Sequence, residues 1–179
     1  MLMDERGPST WKQKGISFVS QETFITKRVL GGNMATGELE VELLGYVGTY
    51  PMRAEASEPG EPPTRIFDIN DDVLVRVYWE IPDSLNRIIC GSFECDLYLE
   101  SQGKGREFEI EGPATPVNQA NHDYYVDIPI PAGTIHTRPD ETDIVYKMTA
   151  SVTFKNTLNR PGPIAGFVEL PMVQWYRDA

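Results

Sequence analysis

Between Asp72 and Ser101 the sequence changes polarity at almost every second residue, and few backbone conformations can use such a pattern. Val73, Val75, Val77, Trp79 and Ile81 alternate with Leu74, Arg76, Tyr78 and Glu80. After Pro82-Asp83-Ser84 the alternation resumes, with Phe93, Cys95, Leu97 and Leu99 set against Glu94, Asp96, Tyr98 and Glu100. A period of two sends one set of side chains into a core and the other into water when the backbone is extended. Two such runs around a short polar turn predict an antiparallel strand pair buried on one face.

The same signature recurs along the chain. In DIVYKMTASVTFKN, Ile144, Tyr146, Met148, Ala150, Val152 and Phe154 share one parity, and Val145, Lys147, Thr149, Ser151, Thr153 and Lys155 the other. Turn clusters at Gly103-Lys104-Gly105, Glu111-Gly112-Pro113, Pro131-Ala132-Gly133 and Arg160-Pro161-Gly162-Pro163 separate short strands at sandwich-like intervals. The expected fold is all-β, an immunoglobulin-like Greek-key β-sandwich over residues 64–179, with a jelly roll as the alternative. The last run, IAGFVELPMVQWY, is apolar on both parities, and Pro171 forbids a continuous ladder within it. Two expectations follow: the strand switches sheets at a proline bulge, or one of its faces, with Phe167, Val173 and Trp175, meets another subunit or the arm hairpin.

Ahead of the sandwich, residues 1–49 read as an N-terminal β-rich arm. Met1 to Gly15 is polar and has nothing with which to build a core. ETFITKRVL, carrying Phe24 and Ile25, and ELEVELLGYV, in which Leu39, Val41 and Leu43 oppose Glu38, Glu40 and Glu42, predict a hairpin around Gly31-Gly32-Asn33. A lone hairpin is marginal in water, so its apolar face is expected to lie on its own body or on a neighbouring subunit. Residues 50–63, YPMRAEASEPGEPP, read as an acidic, semi-extended linker.

Charge narrows the function. The chain of 179 residues carries a formal net charge of −11, which repels phosphate backbones and acidic headgroups, so no nucleic-acid partner is expected. Met1 to Leu30 holds five cations against three carboxylates, a net of +2, which leaves −13 for the remainder. A basic arm thus precedes an acidic body. No run approaches the roughly 20 apolar residues that span a bilayer, so no membrane insertion is expected. The N-terminus has early acidic residues and no apolar run of a secretory signal, predicting a protein that is cytoplasmic as synthesised. Cys90 and Cys95 lie five residues apart in one expected strand, roughly 16 Å between Cα atoms at about 3.3 Å per residue, too far for a disulfide.

Motifs for catalysis are sparse. His122 and His136 lack the spacing of a zinc site or of a nucleophile's base. There is no HExxH, GxSxG or CxxC, and the glycines at 31, 32, 37, 103 and 105 lack the remainder of a phosphate or dinucleotide loop. No cofactor is expected. Asp68-Ile69-Asn70-Asp71-Asp72 resembles, over five residues, the DxNDN linker motif of cadherin repeats. That resemblance implies calcium at Asp68, Asp71 and Asp72; a hard cation takes six to eight oxygen ligands from several loops, and Asp140, Glu141 and Asp143 are the further candidates. Read as residues alone, Asp and Asn ahead of a strand are turn formers. Tyr124 and Tyr125, with Tyr78, Tyr98 and Trp175, are candidates for an aromatic platform or for ordinary cross-strand pairs.

Together these features predict a non-enzymatic structural or assembly subunit whose partner is itself, forming a homo-oligomer or filament through the arm. Its interface candidates are Phe24, Ile25, Leu39, Val41, Leu43, Phe167, Val173 and Trp175. The alternative is an adhesion-type ligand-binding module, calcium-assisted or not.

Overall fold

The computed structural model describes residues 34–43, 45–135 and 143–177. Among these residues eleven strands and one helical turn follow one another as β1 (Ala35–Leu43), β2 (Tyr46–Ser57), β3 (Ile66–Asp68), β4 (Val73–Glu80), α1 (Asp83–Asn86), β5 (Gly91–Ser101), β6 (Phe108–Glu111), β7 (Thr115–Pro116), β8 (Asp123–Ile130), β9 (Asp143–Asn156), β10 (Pro161–Glu169) and β11 (Val173–Tyr176). The protein is all-β. Its strands join in the order β3-β11-β9-β10-β1-β2-β4-β8, and β5 takes the other edge of β9 and carries β6 and β7 on its far side. Every pairing is antiparallel except β3 with β11, so the sheet is mixed.

This sheet folds back over one core. β4 and β5 share no ladder, yet Trp79 of β4 meets Phe93 of β5 edge-on with ring centroids 5.4 Å apart, and Phe93 lies 5.2 Å from Tyr124 of β8. Inward residues of β4, β5 and β9 keep the parity read from the sequence: Val73, Val75, Val77 and Trp79, then Phe93, Cys95, Leu97 and Leu99, then the six from Ile144 to Phe154, are all buried. The pattern works because each strand has water on one side and the facing layer on the other.

β1 and β2 are central. β1 lies between β10 and β2, and β2 between β1 and β4. Their hairpin turns at Gly45, whose φ of +89° falls in the region open to glycine. Tyr50–Ser57, expected to begin a linker, is the last eight residues of the twelve-residue β2, and irregular chain is confined to Glu58–Arg65. In MRAEAS, Met52, Ala54 and Ala56 are buried while Arg53, Glu55 and Ser57 are not; the period-two pattern was present beneath a proline-rich composition. Close packing of β1 on β10 needs glycine: a Cβ at Gly166 would fall 2.3 Å from the Glu38 carbonyl oxygen.

The C-terminal run resolves its double parity by a bulge. Glu169 pairs with Thr149 and Val173 with Tyr146, so the chain advances four residues against three on β9. One extra residue at Pro171-Met172 reverses which side faces inward. Val168 and Leu170 before it, and Val173 and Trp175 after it, are therefore all buried, while Phe167 and Met172 are exposed. β10 and β11 stay along the same edge of β9 rather than crossing to another layer.

Candidate interaction face

The residues singled out by sequence divide cleanly. Leu39, Val41, Val173 and Trp175 are buried in the chain's own core, and Leu43 packs against its margin. Each is spent on intramolecular burial. Phe167 alone of the described candidates faces solvent, 60% exposed. Phe24 and Ile25 lie outside the described residues, as do His136, Asp140 and Glu141.

Alternation also splits the tyrosines. Tyr124 points inward, stacks on Trp79 with centroids 5.7 Å apart, and donates its hydroxyl to Asn86 Oδ1 at 2.5 Å. Trp175 sits inside against Phe67 and Tyr146. Tyr78 and Tyr125 face outward as a cross-strand pair 6.3 Å apart, with the Arg76 guanidinium 5.4 Å from the Tyr125 ring. Arg76 is itself held by Asp127 through two hydrogen bonds of 2.5 and 2.7 Å, which raise its pKa. Beside this pair a hollow of about 280 Å³ is lined by Met34, Pro51, Arg53, Tyr78, Glu80 and Asp123.

The Asp68–Asp72 stretch is a turn held by its own side chains. Asp68 Oδ1 accepts from the backbone N–H of Asn70 at 2.8 Å and from Asn70 Nδ2 at 2.9 Å, and Asp72 Oδ1 accepts from the Ala132 N–H at 2.8 Å. These bonds tie β3 to β4 and anchor the loop after β8. His122 is exposed and lies 3.2 Å from Asp83 and 3.5 Å from Asp123.

What sequence reading missed is how the outward residues align across strands. Reading the registers from β6 to β2, one row runs Glu111, Asp96, Ser151, Phe167, Glu38, Pro51. The row on one side holds Glu109, Tyr98, Thr149 and Glu169; the row on the other holds Glu94, Thr153, Ala165, Glu40 and Thr49. Seven carboxylates thus occupy three neighbouring rows. Lys147 bonds to Glu169 at 2.6 Å and Lys155 to Glu94. Among the described residues no lysine or arginine forms an ion pair with Glu38, Glu40, Asp96, Glu109 or Glu111. The crowding is felt at Asp96, whose carboxyl is raised above the ordinary range by partial burial and then by Glu94, Glu109 and Glu111.

Within this face lies a groove of about 650 Å³ over β9, β10 and β1. Its lining includes the small side chains of Ser151, Thr153 and Ala165 together with Phe167, Glu38 and Glu40. An exposed phenylalanine amid unpaired carboxylates suits a ligand that brings both apolar surface and positive charge. The only helix among the described residues is the four-residue α1, and none is long and apolar enough to cross a membrane. Compared with models of protein families, with curated proteins and with solved structures, the chain matches none.

Proposed function

We propose that this protein is a non-enzymatic assembly subunit that joins copies of itself through its N-terminal segment. One observation carries the reading: an outward sheet face with exposed Phe167 and five carboxylates free of ion pairs among the described residues, on a chain whose first 30 residues are net basic. Opposite charges on segment and body favour encounter and register, and apolar contact supplies the affinity. Strands β1 and β2 are not part of the exchanged segment, since their apolar sides are already buried at home. The arm is therefore residues 1–33.

Sedimentation of the full chain and of residues 34–179 tests this. The shorter chain keeps every buried residue among those described, so it is expected to fold and to sediment as a monomer while the full chain assembles. Equal sedimentation of the two would end the reading. The alternative, a ligand-binding module, draws on the hollow beside Tyr78 and Arg53. It requires a full-length monomer that a small ligand stabilises against melting.

A further inference from the structure

We propose that the groove over β9, β10 and β1 receives the stretch Phe24-Ile25-Thr26-Lys27-Arg28 of a second copy, an assignment that rests on the assembly reading above. Two observations favour this segment.

The first is chemistry. The stretch carries two large apolar side chains next to two cations, and the groove sets Phe167 beside Glu38 and Glu40. Exposed phenylalanine and unpaired carboxylates each lack something that the segment supplies.

The second is length. From the Glu169 row to the Glu40 row is four residues of strand, about 13 Å at roughly 3.3 Å per residue, with the Phe167 row midway. Phe24 to Arg28 is also four residues, so in extended form the segment spans the groove from its Glu169 row to its Glu40 row.

The donor follows from the assembly reading, in which residues 1–33 pass between copies. Such an arrangement is heterologous and yields rings or open filaments according to the rotation between copies.

Charge exchange tests the assignment in the full-length chain. E38K/E40K changes two exposed side chains and is expected to weaken association at least about tenfold by sedimentation, with the melting temperature of residues 34–179 unchanged. Adding K27E/R28E to that variant is expected to restore assembly, because the signs are exchanged on both partners. Three results overturn the proposal. Full assembly of E38K/E40K, with assembly still lost on removing residues 1–33, means that the segment docks elsewhere and the assembly reading survives. Full assembly of both E38K/E40K and residues 34–179 means that the assembly reading itself fails. A full chain that stays monomeric, yet loses melting temperature on E38K/E40K and regains it with K27E/R28E, places the segment on its own groove.

Discussion

Removing one hydroxyl, Tyr124→Phe, should cost more than its size suggests. That hydroxyl donates to Asn86 Oδ1 at 2.5 Å and accepts the Asn118 N–H at 3.2 Å. Asn86 is 1% exposed, and its Nδ2 donates to the Asn118 carbonyl at 2.7 Å and to the Asn121 carbonyl. The network clamps α1 to the loop between β7 and β8. In the phenylalanine variant the Trp79 stacking survives, but the Asn86 carbonyl oxygen is left buried without its donor. An orphaned buried acceptor costs about 1–3 kcal/mol. For a chain of this size each kcal/mol lowers Tm by roughly 2–4 °C, so a mid-range loss of about 2 kcal/mol gives a fall of roughly 4–8 °C. Tyr78→Phe is the control: it loses a half-buried bond of 3.0 Å to Glu55, where water can replace the partner, and should cost less than about 1 kcal/mol. Calorimetry on both variants decides the matter. If Tyr124→Phe melts no lower than Tyr78→Phe, the clamp has been misread.

Two further outcomes follow from the same geometry. Asp96 has a raised pKa, so its ionised form weakens the fold: its contribution is most favourable below the unfolded carboxylate value of about 3.9 and declines as pH rises through the folded value. Asp96→Asn should therefore melt higher than wild type at pH 7, with the difference closing near pH 3; an equal difference at both would show that charge is not the cause. Burial, with a smaller push from Asp96, raises the Cys95 thiol to about 12, whereas Cys90 is exposed. A thiol reagent at pH 8 should label one cysteine in the native protein and two after unfolding, and rapid labelling of both in the native state would contradict the burial.

Much of the fold was legible because its signal is local. The parities of β1, β4, β5 and β9 follow from alternation alone, and the structure keeps each one. Applied strictly, the same rule would have separated Tyr124 from Tyr125, since Tyr124, Val126, Ile128 and Ile130 share a side. β2 was obscured because Pro51 and its neighbours carry turn chemistry, while the inward residues Ala54 and Ala56 are too small to announce a core. The bulge at Pro171-Met172 was half visible: proline marked the break, but a single extra residue that reverses the inward side shows only when β9 is alongside. The acidic face was hardest. Glu38, Asp96 and Glu111 are far apart in sequence, and strand order, a product of long-range packing, sets them in one row.

Assembly through a borrowed segment is most directly tested by using residues 34–179 as a competitor. This shorter chain offers a groove but no segment, so adding it in excess to the full chain should occupy free segments and reduce the mean mass of the assemblies, measured by light scattering. A mass distribution that stays unchanged at large excess, with both species present at equilibrium, would contradict the exchange of residues 1–33 between copies.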